Sequence, residues 1–340
     1  MIKFLSLSEK EQSDLFRIAA DDMRISEAVI EKDFWVVLML DILFHHSKFG
    51  THFVFKGGTS LSKAYHAIRR FSEDIDLILD WRLLGYGKDE PWFQRSKTAQ
   101  RKFNDQANQK AAEWIKDELI PELQHQFQKL KIFNINLQVA VDDAQTVEIF
   151  YPRYHEDQSL LQVIRLEIGP LAAWTPCENE EISSYTAEQF PQLFEHPSTE
   201  VPTVAIKRTF WEKATILHKE ANRENSRVPE RYSRHYYDLY EMSQTGIKDQ
   251  AFNDLNLLQQ VISFKEKFYA DNAARYEEIF TGSLKLIPSQ EQMRLLQEDY
   301  QKTKDMLFGD FPSFEEILAG LEQLENEFRE LDYRQLLWLK

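Results

Sequence analysis

The chain reads as an α+β protein, with a mixed sheet and flanking helices in its first half and a helical second half. Three observations predict this. Short β-rich runs alternate with helical patterns through residues 1–172. Helical patterning is nearly continuous from Lys207 onward. Between them, the acidic stretch 173–200 with Pro176, Pro191 and Pro197 reads as a linker or loop. Domains are therefore expected at 1–172 and 201–340.

The elements follow in order. Ser8 precedes Glu9, Glu11 and an apolar period at Leu15, Ile18 and Ala19, which predicts a capped helix. Ser26 to Phe44 has apolar residues at helical spacing and reads as a second, largely buried helix. His52 to Lys56 is a short β run that Gly57-Gly58 ends, and Leu61 to Ile68 reads as a helix opening on the hydroxyls of Thr59 and Ser60. Asp74 to Trp81 returns to strand. Trp92 to Gln128 is a long polar helical region. Ile132 to Val141 alternates apolar and polar residues, as a half-buried strand does. Thr146 to Tyr151 and Leu160 to Ile168 add strands, for a sheet of about five. In the second half, helices are expected at 207–222, 232–245, 250–272, 290–307 and 314–331.

Composition narrows the function. The 340 residues carry 41 Lys and Arg against 56 Asp and Glu, a net charge of −15. That balance opposes indiscriminate binding to nucleic acid or membranes, so any nucleic-acid contact requires a local basic patch. Two stretches qualify. Trp92–Lys110 holds Arg95, Lys97, Arg101, Lys102 and Lys110 against Asp105, and Lys207–Tyr237 holds eight basic residues against Glu212, Glu220, Glu224 and Glu230. Such runs are as often solvated helix faces as RNA contacts. One cysteine, Cys177, leaves no internal disulfide and no Cys-x-x-Cys zinc site. His45, His46 and His235 lack metal-ligand spacing. The best apolar run, Phe34–Phe44, contains Asp41 and is shorter than the ~20 residues a membrane helix needs. These features predict a cytoplasmic protein with no membrane contact.

Chemistry concentrates between Lys56 and Leu79. Asp74 and Asp76 are two residues apart on a predicted strand, so both side chains project from one face while Ile75, Leu77 and Leu79 project from the other. Adjacent carboxylates repel unless a cation lies between them. Mg²⁺ is a hard cation often held by one or two carboxylates plus substrate phosphates, and Mn²⁺ is the alternative ion. Gly57 and Gly58 permit close backbone approach, and Thr59 and Ser60 add hydroxyls. The group reads as a site for a metal-bound nucleoside triphosphate. It is not a Walker A loop. Glu167 lies in an apolar strand, where a charge needs a partner, and is the candidate third carboxylate; Glu148 is its alternative.

The joint motif Lys56-Gly-Gly-Thr-Ser-Leu-Ser-Lys63 and Arg70-Phe-Ser-Glu-Asp-Ile-Asp-Leu77 resembles the AbiEii/AbiGii-type nucleotidyltransferase toxins. Glu31-Lys-Asp-Phe-Trp35, Arg165-Leu-Glu-Ile-Gly169, Trp211-Glu-Lys213 and Arg234-His-Tyr-Tyr-Asp-Leu-Tyr240 extend the resemblance, as do Asp299-Tyr300 and Met306–Gly309. It implies a DNA polymerase β-like nucleotidyltransferase domain with a helical C-terminal domain. It also implies a toxin of a bacterial toxin–antitoxin and phage-defence system that uses Mg²⁺ and a nucleoside triphosphate. An RNA acceptor, in particular tRNA, and an antitoxin from a neighbouring gene are implied as partners. Mapped on this chain, Asp74, Asp76 and Glu167 would hold metal and, with Lys213 and an Asp238 that orients Lys213 or a base, carry catalysis. Gly57, Gly58, Thr59, Ser60, Lys63, Arg70 and Lys213 would face the nucleotide. Lys213 could instead form only a salt bridge with Asp238, and Arg70 could pair with Glu73. Transfer to a small molecule, and nucleotide binding without transfer, are the competing readings.

Overall fold

Why the first unit holds a sheet is visible in its burial pattern. In strands β1 (Phe53–Lys56), β2 (Asp74–Leu79), β3 (Asn136–Val139), β4 (Thr146–Phe150) and β5 (Ile164–Gly169), buried apolar residues recur at alternate positions, although β3 buries Leu137 alone and β2 and β4 also bury adjacent residues. Slipping any strand by one residue would exchange its apolar and polar faces, so this alternation fixes register. Two further strands, β6 (Cys177–Ser183) and β7 (Ser198–Val204), complete one seven-stranded mixed sheet in the order β3-β4-β5-β2-β1-β7-β6. β2 runs parallel to β5 and antiparallel to β1. The computed structural model describes residues 1–157, 160–223 and 227–331, with the side chain of Asp305 excepted. Glu224, in the second basic stretch, and residues 332–340 of the expected helical region lie outside them.

The helices of this unit are α1 (Glu9–Met23), α2 (Glu27–Asp41), α3 (Gly57–Lys63), α4 (Lys97–Trp114), α5 (Ile120–Lys129) and α6 (Tyr185–Gln189). The predicted cap of α1 is a full capping box, with Ser8 and Glu11 satisfying each other's backbone N–H. α2 is buried almost end to end and packs against β5 and β7.

The structure corrects three expectations. Segment 173–200 is not a loop: it carries β6, α6 and the start of β7. β6 is an edge strand with an exposed, acidic sequence, so no apolar alternation marks it. Pro202 disguises β7; on the β1 side, pairing is limited to Phe55 with Thr203. Helix α3 begins at Gly57, four residues earlier than read, and ends at Lys63. The polar region 92–128 is two helices joined by a π-type turn, Ile115–Leu119, ahead of Pro121.

The second unit comprises His66–Arg70 and the described part of Ala205–Lys340; the first comprises Met1–Tyr65 and Phe71–Val204. Its helices are α7 (Ile206–Ala221), α8 (Ser233–Ser243), α9 (Gly246–Phe252), α10 (Leu255–Phe268), α11 (Gln290–Lys302) and α12 (Phe314–Arg329). The expected 250–272 helix is split at Asn253-Asp254, where Asp254 caps α10. α7 packs against α8, α9 and α10, and its fully buried Trp211 stacks on Phe252 at 5.9 Å.

Candidate active site

The parallel pairing of β2 and β5 sets Asp74 opposite Arg165 and Asp76 opposite Glu167. Residues in register on neighbouring strands share a face. Asp74, Asp76 and Glu167 therefore lie together on the half-buried face, while Ile75, Leu77, Leu166 and Ile168 pack into the core from the other. Lys56 of β1 is opposite Asp76. Glu148, the alternative third carboxylate, is instead opposite Arg165; it accepts from Arg165 at 3.3 Å and from Gln138 at 2.9 Å. Across from Glu167 on β4 is Thr146.

This face carries Asp74, Asp76, Glu148 and Glu167 against two cations, Lys56 and Arg165. Arg165 also bonds Asp142 at 3.2 Å. Burial alone would lower the Arg165 guanidinium, but Asp142, Glu167 and Asp74 together push it up. Among the described residues, no three His, Cys, Asp or Glu side chains form a ready-made metal cage. The donor set is of the kind Mg²⁺ takes, a pair of carboxylates on one face, with remaining positions left to phosphate oxygens and water.

Gly57 is the backbone feature this face depends on. Its φ is +84°, and a Cβ there would stand 1.9 Å from Asp76 Oδ2. Only glycine combines that conformation with that closeness.

The other expected nucleotide contacts have protein partners in the structure. Thr59 and Ser60 are fully buried, and their hydroxyls donate to the backbone carbonyls of Asp74 and Gly57. They brace α3 against β2 and are not presented to a phosphate; the backbone at Gly57 and Gly58 is what remains of that predicted cradle. Lys63 is buried as well. Its ammonium pairs with Asp33 at 2.9 Å and lies 3.6 Å from the centre of the Tyr185 ring.

That ion pair belongs to a set that sequence reading placed on α2 without assigning partners. Glu31, Lys32 and Asp33 are all buried. Lys32 pairs with Glu73, the residue before Asp74, at 2.7 Å. Asp33 accepts from Tyr185 N at 2.7 Å as well as holding Lys63, yet burial still raises its carboxyl. Glu31 accepts the N–H groups of Tyr154 and His155 at 2.8 and 2.9 Å, and burial pushes its pKa up to about 7. Three consecutive charges inside an apolar helix were the available signal, because each required a buried counterpart. Which counterpart it found is a matter of tertiary structure.

The second unit gathers Arg70, Lys213, His235 and Asp238. Asp238 is fully buried and accepts from Arg70 Nε at 2.7 Å, Arg70 Nη2 at 2.9 Å and Lys213 Nζ at 2.9 Å. Lys213 also reaches His235 Nδ1 at 2.9 Å. Burial opposes the Asp238 charge, but Arg70 and Lys213 outweigh it and hold the carboxyl far below the usual range. Burial lowers the Lys213 ammonium, against Asp238. It also drives His235 well down, aided by Lys213, so His235 is neutral and its Nδ1 accepts. Lys213 and Asp238 thus form the interhelical salt bridge weighed from sequence. Arg70, expected on phosphate or Glu73, grips Asp238 with a two-pronged fork.

The second basic stretch is largely neutralised within this unit. Lys207, Arg208, Lys219 and Arg223 pair with Asp254, Glu212, Asp271 and Glu220. In the first stretch, Arg95 donates to three backbone carbonyls and Lys110 to one, whereas Lys97, Arg101 and Lys102 are exposed on α4. No helix among the described residues is long and apolar enough to cross a membrane.

Residues 41–320 match the model of the family described as nucleotidyl transferase AbiEii toxin, type IV TA system. No curated protein matches the chain. Among solved structures, it is similar to MenT4, the nucleotidyltransferase toxin Rv2826c from Mycobacterium tuberculosis H37Rv. That similarity has 16% identity and a TM-score of 0.46, covering 93% of this chain and 96% of that one.

Proposed function

The chain belongs to the AbiEii family of nucleotidyltransferase toxins of type IV toxin–antitoxin systems, and we propose that it transfers a nucleoside monophosphate from a Mg²⁺-bound triphosphate to an RNA acceptor, tRNA foremost. As a nucleotidyltransferase it takes a nucleoside triphosphate as donor, and as a toxin of such a system it has an antitoxin counterpart. The observation that carries the finer reading is the register of β2 and β5, which sets Asp74, Asp76 and Glu167 on one face with an excess of negative charge.

In the reaction, an acceptor hydroxyl attacks the α-phosphorus, the bond to the bridging oxygen breaks, and pyrophosphate leaves. Bound Mg²⁺ would polarise the phosphate oxygens and offset their charge. Asp74 and Asp76 would be its protein ligands. Glu167, beside Asp76, would join them or take the proton of the attacking hydroxyl. Gly57 keeps the backbone clear of Asp76, and Lys32, by holding Glu73, steadies the start of β2. Lys213 is proposed as a cation that offsets phosphate charge, with Asp238 as its positioning residue. Exposed Lys97, Arg101 and Lys102 are the proposed contact for the RNA backbone.

The test is direct. Purified protein is incubated with Mg²⁺, each α-labelled nucleoside triphosphate and total bacterial RNA, beside Asp74→Ala, and the products are resolved on a denaturing gel. Label in a tRNA-sized band, absent with the variant, supports the reading. Label in a small product instead, or in nothing despite nucleotide binding, overturns the RNA acceptor.

A further inference from the structure

The two edges of the sheet are built differently. β6, at one edge, carries Glu178, Glu180 and Glu181, whereas β3, at the other, carries no charge. The uncharged run extends over residues 132–141, in a chain that is 29% charged, and it contains neither proline nor glycine. An edge strand offers unpaired N–H and C=O groups to any other strand, and natural edges are blunted by charge, proline or bulges. β6 is blunted in this way and β3 is not.

The backbone shows which groups of β3 are on offer. Ala140 N donates to the Thr146 carbonyl at 2.9 Å, and β3 pairs with β4 from Asn136 to Val139. In an antiparallel ladder, successive residues alternate between the two sides of the strand. The even positions therefore face β4, and the N–H and C=O groups of Leu137 and Val139 point away from it. Among the described residues no strand pairs with them. Asn134 has a φ of +60°, so the extended edge begins at Ile135. Phe133 and Val141 flank the edge and are 68% and 100% exposed. Asn136 and Gln138 are exposed on the carboxylate face, where Gln138 donates to Glu148 at 2.9 Å, and Leu137 packs into the core behind them. The ends of the run carry opposite charge. Exposed Lys129 and Lys131 precede it, and exposed Asp142 and Asp143 follow it, Asp142 also accepting from Arg165 at 3.2 Å. A second copy running antiparallel brings each basic end to an acidic one, whereas a parallel copy brings like to like.

We propose that β3 is a dimerisation edge, pairing antiparallel with β3 of a second copy of this chain about a two-fold axis at Leu137. An axis normal to the sheet keeps each face on its own side, so only positions of the same parity can be opposite one another. Each Leu137 then exchanges both backbone bonds with the partner's Leu137, Val139 bonds the partner's Ile135, and Asn136 is opposite the partner's Gln138. Phe133 comes near the partner's Val141, and Lys131 near the partner's Asp142 and Asp143. The two sheets become continuous, with both carboxylate faces on the same side. The charge pattern selects a second copy as the occupant because the run is complementary to itself. This inference is independent of the RNA acceptor proposed above.

The experiment is sedimentation equilibrium of the full chain over a concentration series, beside Val139→Pro and Val141→Lys. The parent chain should reach twice the mass of one copy. Val139→Pro removes an N–H that faces away from β4, so the β3–β4 ladder stays whole. It should weaken dimerisation by about tenfold or more. Val141→Lys changes a fully exposed side chain, so it should weaken dimerisation while keeping the parent's melting temperature. The register is read by mixing Asn136→Cys and Gln138→Cys chains, each also carrying Cys177→Ser, under oxidising conditions. A disulfide-linked dimer of the two is expected. A parent chain that is monomeric at every concentration overturns the proposal, and this includes the case in which a strand of another protein occupies the edge. A dimer that both variants leave intact, or a mixture that forms no cross-link, overturns it as well.

Discussion

Two clusters of charge, one in each unit, are built on opposite principles. On the sheet, four carboxylates share a half-buried face with two cations. In the helical unit, a fully buried carboxylate is gripped by a guanidinium and an ammonium, with a neutral imidazole closing the group. The first arrangement leaves negative charge for a ligand to neutralise. The second satisfies its own carboxylate, and that carboxylate holds Lys213, the cation proposed to offset phosphate charge. A motif match alone does not distinguish these, because both clusters contain residues that family resemblance singles out.

That contrast can be broken or sharpened by substitution. The largest effect is expected at the sheet. Asp74→Asn or Asp76→Asn should lower transfer by roughly a thousandfold or more, the scale of losing metal-based charge stabilisation. Neither should lower the melting temperature appreciably, since relieving repulsion between carboxylates costs the fold little. Next is Asp238→Ala, which leaves Arg70 and Lys213 buried without their counter-charge. Its expected cost is about 3–5 kcal/mol in denaturant unfolding. Gly57→Ala should combine a moderate destabilisation, roughly 1–3 kcal/mol from the left-handed backbone, with a large loss of activity through displacement of Asp76.

Glu31 gives a smaller, pH-dependent effect. Its carboxyl rises from 4.5 in the unfolded chain to about 7 in the folded one. The folded state therefore binds the proton more tightly, and stability from this group is complete below pH 4.5 and lost as pH rises to 7. The loss is at most about 3 kcal/mol, and Glu31→Gln should flatten that slope in unfolding measured from pH 4.5 to 7. Charge reversal at Lys97, Arg101 and Lys102 should leave stability unchanged and reduce RNA affinity only modestly, with a shallower salt dependence.

Much of the sheet was legible because its code is local. The two-residue step in β2 put Asp74 and Asp76 on one face before any pairing was known, and glycine at 57 announced a close approach. Pairing partners were not legible. That Asp76 would meet Glu167, with Glu148 opposite Arg165, depends on a parallel register between strands about 90 residues apart. The partners of Thr59, Ser60 and Lys63 were not legible for a related reason: hydroxyl and ammonium groups beside a glycine turn suit a phosphate, but here they are buried against Asp74, Gly57 and Asp33. β6 and β7 were hidden by acidic residues and a proline, features that edge protection and short pairing tolerate. Arg70 found a partner 168 positions away, which no local spacing encodes.

The most direct test of the contrast is to measure transfer rate and melting temperature side by side for the wild-type chain, Asp74→Asn and Asp238→Asn. The account predicts that Asp74→Asn abolishes transfer at an unchanged melting temperature. It predicts that Asp238→Asn lowers the melting temperature by several degrees, on the scale of about 2–4 °C per kcal/mol. Transfer surviving in Asp74→Asn, or an unaltered melting temperature in Asp238→Asn, would contradict it.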